Sequence, residues 1–150
     1  MMITTKRLII QRAVIGDVPG LRTLLADQRL LRLSRFTILP TSPAIAMMIE
    51  TLHPLVIRQR NAPKHIIGML TLQRRGERKW ELGYLLQAAL WGHGIMTEAV
   101  AGVVSQLKAG TSLIAFVEPQ NRGSQLVLEK NDFQRYREDA WQICYRYDQK

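Results

Sequence analysis

Apolar and polar positions change period several times along the chain. Arg7 to Ala13 (RLIIQRA) is a short strand-like run. Helical spacing follows: Asp17 reads as an N-cap, Pro19 falls in the first turn, and Leu21, Leu24 and Leu25 share one face. ADQRLLRLSRF continues as a second short helix, ended by Pro40 and Pro43. Ala44 to Leu52 offers a further helix with Met47, Met48 and Leu52 turned inward. After Pro54 the period becomes β-like. LVIRQR, HIIGMLTLQRR and WELGYLL are three runs, parted by Asn61-Ala62-Pro63 and by a charged glycine turn, which predicts an antiparallel meander. From Gly94 to Lys108 the spacing is helical again, with Ile95, Ala99, Val103 and Leu107 in one stripe and Gly110 as the stop. SLIAFV is a wholly apolar strand of the kind buried on both faces. NRGSQLVLEKNDF is a helix opened by Asn121, and FQRYRED with WQICYRYD close as a hairpin. Without the Ala44 piece the coarse order is β-α-α-β-β-β-α-β-α-β-β. No repeat, low-complexity tract or linker breaks it, so the expectation is one mixed α/β domain over residues 1–150.

Composition narrows the class. At 150 residues and 47% hydrophobic, the chain can bury one real core and is not a disordered one. No apolar run approaches the roughly 20 residues of a membrane span, and the N-terminal residues lack the apolar region of a signal peptide. The lone Cys144 cannot form an internal disulfide, which suits a reducing cytoplasm; in its QICYR setting it reads as an inert core thiol. The net charge of +9 favours an acidic partner such as nucleic acid, a ribosome, a phosphorylated cofactor or an anionic substrate. Yet the basic residues are spread out. They gather only in short knots such as Arg74-Arg75-Gly76-Glu77-Arg78-Lys79, which reads first as a solvated hairpin turn, and no zinc-finger spacing or RNA-binding aromatic signature accompanies it.

The stretch ALWGHGIMTEAV (89–100) lies where the strand ending at Leu86 turns into the helix from Gly94. A helix N-terminus carries unpaired N–H groups and the positive end of the macrodipole. Glycines just before it let the backbone close on a pyrophosphate. A plain strand-to-helix turn has the same glycines, so the turn alone leaves both readings open. A metal is not expected, because no other His or Cys is spaced to join His93.

The strand WELGYLL, the turn WGHGIMTEAV, an apolar strand and then NRGSQLVLEKNDF, in that order, resemble the GNAT N-acetyltransferase superfamily. They are most similar to its branch of ribosomal-protein alanine acetyltransferases, and the TKRLIIQRA opening fits as well. The resemblance implies the GNAT fold, a mostly antiparallel central sheet flanked by helices. It implies acetyl-CoA as cosubstrate, its pantetheine along the strand ending at Leu85 and Leu86. The pyrophosphate would lie on the backbone of Trp91, Gly92, His93, Gly94, Ile95 and Met96, and Asn121 would contact the cofactor arm besides capping its helix. Leu128 stands where many members carry a Tyr that protonates the departing thiolate. Asp132 stands where a glycine precedes the Phe, and a short acidic residue tolerates the left-handed conformation.

Acetyl transfer to an amine requires a neutral nitrogen, a polarised carbonyl and a partner for the leaving thiolate. Glu81 is the candidate base, since it lies on the strand that lines the acetyl end; the alternative is a hairpin carboxylate balancing Arg78 or Lys79. A backbone N–H near Leu85 would polarise the carbonyl. Ser124 is the candidate partner for the thiolate, and a first-turn serine satisfying backbone is its alternative. The expected activity is therefore an acetyl-CoA-dependent N-acetyltransferase acting on a primary amine, a protein N-terminal α-amine foremost. Its partner would then be a ribosomal protein or the ribosome, with the chain a monomer or homodimer. A small-molecule amine such as a polyamine or aminoglycoside, a non-catalytic CoA-binding module and a basic RNA- or ribosome-binding module remain as alternatives.

Overall fold

The structure, a computed structural model, describes residues 2–33 and 38–150. Strands β1 (Met2–Thr4) and β2 (Leu8–Arg12) precede three helices, α1 (Val18–Leu25), α2 (Gln28–Leu33) and α3 (Ser42–Leu52). The meander follows as β3 (Leu55–Gln59), β4 (Ala62–Arg74) and β5 (Lys79–Leu86). Then come α4 (Ile95–Val104), β6 (Ser112–Val117), α5 (Arg122–Lys130), β7 (Gln134–Glu138) and β8 (Ile143–Asp148). Among the described residues the strands make one eight-stranded sheet in the order β1-β2-β3-β4-β5-β6-β8-β7. Every neighbouring pair is antiparallel except β5 and β6, which run parallel with α4 as the crossover. The predicted mixed α/β fold with a mostly antiparallel sheet flanked by helices is the observed one. No helix among these residues is long and apolar enough to cross a membrane.

Each strand of the meander divides its side chains between two cores, as a period of two requires. Ile57, Leu70, Leu82 and Leu86 face one way and pack with Ile95, Ala99, Val100 and Val103 of α4 and Leu128 of α5. Their neighbours Val56, Met69 and Leu85 face the other way, against Leu21, Leu24 and Leu25 of α1 and Ile45, Met48 and Ile49 of α3. Cys144 is buried, which pushes its thiol pKa up, as an inert core thiol requires.

Several sequence expectations need correction. Pro43 begins a helix instead of ending one: it occupies the first turn of α3, whose N-cap Thr41 accepts from the Ala44 N–H at 3.4 Å. The inward stripe is Ile45, Met48 and Ile49, and Met47 is 60% exposed. β1 escapes the periodicity because three residues cannot show one. The second helix is observed over Gln28–Leu33; of its predicted range, Ala26 and Asp27 instead link it to α1, and Ser34 to Phe36 lie outside the described residues. Helix α4 stops at Val104, before the predicted Lys108.

Asp17 precedes α1 as expected, but its side chain does not cap the helix. It is buried, accepting the Val14 N–H at 2.9 Å and Arg58 Nη2 at 2.6 Å. The pair ties the entry of α1 to β3, and both side chains are largely withdrawn from solvent. Asp17→Ala strands the Arg58 charge and the Val14 N–H together. It should lower unfolding free energy in urea by about 3 kcal/mol, whereas a surface ion pair would give less than about 1 kcal/mol.

Candidate functional site

The site begins where two strands part. Arg75 N–H donates to the Lys79 carbonyl at 2.8 Å, and Gln87 N–H to the Ile67 carbonyl at 2.7 Å. Between these points the β4–β5 register is unbroken. Antiparallel alternation therefore turns the backbone groups of Glu81, Gly83 and Leu85 toward β4, and those of Trp80, Leu82, Tyr84 and Leu86 toward β6. The β5–β6 ladder, however, runs only from Lys79↔Ser112 to Glu81↔Ile114. β6 continues along β8 to Val117, and β5 continues along β4 to Leu86. Past Glu81 a wedge opens between them, and Tyr84 and Leu86 face it without a partner strand. The Leu85 N–H, near which a polarising donor was expected, is turned to β4, and the open donors are those of its neighbours Tyr84 and Leu86. At the far end the Trp91 indole N–H donates to the Leu86 carbonyl at 2.9 Å.

The wedge is the mouth of a cavity of about 700 Å³ that runs to the start of α4. Gly92 and Gly94 hold φ of 82° and 73°, the left-handed region that a side chain resists, and Gly94 is the N-cap. The first-turn N–H groups of Ile95 and Met96 follow directly, with Arg122 and Lys130 as cations in the same lining. Such an array of N–H donors, dipole and cations suits a pyrophosphate. Among the described residues no cluster of three or more His, Cys, Asp or Glu side chains is placed to hold a metal.

The structure gathers the predicted residues Glu81, Leu85, Leu86, Trp91, Gly92, Gly94, Ile95, Met96, Asn121 and Ser124 around this one cavity. His93 is not in the lining. It is exposed, and its carbonyl accepts from Arg7 Nη1 at 3.0 Å on the other side of the turn. Glu81 is paired, but with Arg75 Nε at 3.0 Å and not with Arg78 or Lys79. Asn121 caps α5 by accepting the Ser124 N–H at 3.1 Å. Leu128 is wholly buried in the core, so that position offers the cavity nothing. Asp132 holds φ of 65°, as expected of a glycine substitute.

Two groups escaped the sequence reading. Tyr84, spaced with Leu82 and Leu86, reads as a core aromatic; its hydroxyl nevertheless reaches Ser124 Oγ at 2.8 Å. Burial pushes the phenol pKa well above its ordinary range, outweighing the hydrogen bond to Ser124. The second is a clasp behind the glycine turn. Glu98 Oε1 accepts from Arg7 Nε at 2.7 Å, and Oε2 accepts from the Arg7 N–H at 2.8 Å and from the Thr5 hydroxyl. Arg7 thereby joins β2 to α4 and to the His93 carbonyl. Both residues are legible as motif letters, but nothing in their spacing links positions so far apart.

Residues 7–134 match the acetyltransferase (GNAT) domain model. Solved structures share the fold. The acetyltransferase (GNAT family) from Bacillus anthracis superposes with a TM-score of 0.78 at 18% identity, over 98% of this chain and 96% of that one. The ribosomal-protein-S5-alanine acetyltransferase from Vibrio fischeri gives 0.76 at 17% identity, over 99% and 96%. Mycobacterium smegmatis RimJ in complex with CoA-disulfide gives 0.74 at 20% identity, over 93% and 81%. No curated protein matches the chain by sequence. The architecture is that of an acyltransferase, with its wedge between parallel strands leading to a helix N-terminus. The chain belongs to the GNAT acetyltransferase domain family.

The clasp makes a pH prediction. Burial opposes ionisation of Glu98, but the Thr5 hydroxyl, the Arg7 N–H and the Arg7 guanidinium together hold its pKa below the ordinary 4.5. A depressed folded value stabilises above the unfolded value and is lost as pH falls through the folded one. Glu98→Gln should therefore melt several degrees below the parent at pH 7, and the gap should close below pH 4.5. A gap that stays constant from pH 7 to pH 3 would show that the clasp does not act through the charge.

Proposed function

We propose that the protein is an acetyl-CoA-dependent N-acetyltransferase that acetylates a primary amine, a protein N-terminal α-amine foremost. The observation that carries this reading is the wedge past Glu81, whose free backbone donors lead straight to the glycine-led N-terminus of α4. An extended amide-bearing arm fits the first, and a pyrophosphate fits the second. The Vibrio fischeri relative is named for acetylating an alanine of a ribosomal protein, and the RimJ structure holds a CoA-disulfide, which supports the same cosubstrate and class of acceptor.

The chain's own groups divide the work. Tyr84 and Leu86 N–H groups bind the arm and polarise the thioester carbonyl. The amine nitrogen attacks that carbon, the C–S bond breaks, and its electron pair leaves on sulfur. An ammonium acceptor sheds two protons in becoming the amide; one ends on the CoA thiol and one is released. Glu81 is the group on the acceptor side that takes a proton from nitrogen, directly or through water. Its ion pair with Arg75 orients the carboxylate. An α-amine with a pKa of about 7.7–8.0 is on the order of 10% neutral at pH 7, against about 0.04% for a lysine amine, so the α-amine asks less of this base.

Acetyl-CoA should raise the melting temperature, with linkage worth about 2.7 kcal/mol at 100 times its dissociation constant. Gly94→Asp forces a side chain into the left-handed φ of the cradle's N-cap, its Cβ toward Arg7 Nη2, and should weaken CoA through that distortion by roughly tenfold or more, about 1.4 kcal/mol. A melting temperature indifferent to millimolar acetyl-CoA would remove the cofactor assignment. For the base, Glu81→Gln should leave CoA affinity unchanged and lower turnover about 10²–10⁴-fold, the loss shrinking as pH rises. Peptides with free N-termini, screened beside polyamines and aminoglycosides by thiol release, provide the acceptor. Equal turnover of parent and Glu81→Gln from low to high pH would take Glu81 out of the mechanism.

A further inference from the structure

We infer that the sheet face beyond Glu81 docks an acidic stretch of the acceptor polypeptide, held by Lys79, Arg137 and Arg146 a few residues after the amine. The inference rests on the acetyltransferase reading above and names the chemistry of its acceptor. Strand register places the three cations, because residues paired across a ladder share a face. Glu81 pairs with Ile114 of β6, and Ile114 with Arg146 of β8. Lys79 lies two residues from Glu81 and so on the same side. Arg137 of β7 pairs with Cys144, two residues from Arg146, and joins that side as well. Electrostatics gives the same grouping: Arg137, Lys79, Glu81 and Arg146 all act on the Cys144 thiol. The Arg146 guanidinium also lies over the ring of Tyr136, 5.6 Å from its centroid, which fixes it on this face.

The carboxylates among the strand residues of this face are Glu81 and Asp148, and both are met, by Arg75 and by Arg146. Lys79 and Arg137 have no ion-pair partner among the described residues. Arg146 gives Nε to Asp148 and Nη2 to Ser112 Oγ, and keeps Nη1 to spare. A positive surplus therefore stands beside the reaction centre. Toward β4 the face is covered by α1 and α3, in a core to which β6, β7 and β8 contribute nothing. A polypeptide with its amine at Glu81 has its open course the other way, across those three strands. Neighbouring strands lie about 4.8 Å apart, so Arg146 is about 10 Å on and Arg137 about 14 Å. An extended chain advances about 3.3 Å per residue and reaches them some three to four residues after its first. Acidic side chains there meet complementary charge, and a polycationic amine meets repulsion. An acceptor must pass this point, whereas nothing obliges a nucleic acid to do so.

The test uses peptides of one length with free N-termini and the same first two residues. Positions three to six are made acidic, neutral or basic, and thiol release from saturating acetyl-CoA is followed. The acidic peptide should exceed the neutral one in kcat/KM by roughly tenfold, through KM, with the basic one lower still. That advantage should shrink as ionic strength rises from about 0.05 M to about 0.5 M. Arg137→Glu should lower the acidic-to-neutral ratio about threefold or more, and Lys79→Glu added to it should remove or reverse the preference. Arg12→Glu makes the same charge change at an exposed site on β2, three strands from β5 on the opposite side, and should leave the ratio alone. If the double variant does not fold, the parent's peptide series and Arg137→Glu decide. A parent ratio near one, or equal losses in Arg137→Glu and Arg12→Glu, overturns the proposal while the acetyltransferase reading stands. Peptide turnover blind to charge but inhibited by a short single-stranded RNA, with the inhibition lost in Arg137→Glu, overturns it in favour of nucleic acid. A parent that acetylates small amines and no peptide ends this proposal and the α-amine acceptor together.

Discussion

The backbone ladder of β5 sets the terms for the site. Backbone N–H and C=O groups are obligatory hydrogen-bonding groups, and a strand inside a sheet normally satisfies them on both sides. β5 does so only as far as Glu81; beyond it one side stays open because β6 follows β8 instead. The open groups belong to alternate residues, so parity selects Tyr84 and Leu86 and passes over Gly83 and Leu85. Trp91 then closes the end of the wedge by donating its indole N–H to Leu86. That single bond relates the last residue of β5 to the first residue of the glycine turn, and so sets the strand donors against the helix donors.

Much of this was legible in the chain because periodicity reports burial. The two-residue period of WELGYLL and the helical stripe of Ile95, Ala99 and Val103 describe faces, and both faces are where they should be. What periodicity cannot report is which long polar side chain meets which. Glu81 could have paired with Arg78 or Lys79 on spacing alone; only the hairpin geometry brings Arg75 to it. Asp17 has the signature of a helix cap, yet Arg58, 41 residues away, captures it. Tyr84 was hidden for the opposite reason. Its spacing marks it for the core face of the sheet, where it packs half-buried, while its hydroxyl at the ring's far end meets Ser124, which spacing does not register.

The same parity separates the polar groups of β5. Glu81 shares the face of Leu85, and Tyr84 shares the face of Leu82 and Leu86. The carboxylate and the hydroxyl pair of Tyr84 and Ser124 therefore lie on opposite faces of one strand, although both groups line the same cavity.

The net charge of +9 takes on a different meaning once its members are located. Arg7 holds Glu98 behind the glycine turn, Arg58 holds Asp17 under α1, and Arg75 holds Glu81 where the wedge opens. Arg122 and Lys130 line the cavity near the helix N-terminus, where a polyphosphate would sit. Arg135 and Arg146 lie over the rings of Tyr145 and Tyr136. These cations have separate local tasks in several elements, so a net charge of +9 is not by itself the footprint of a nucleic-acid partner.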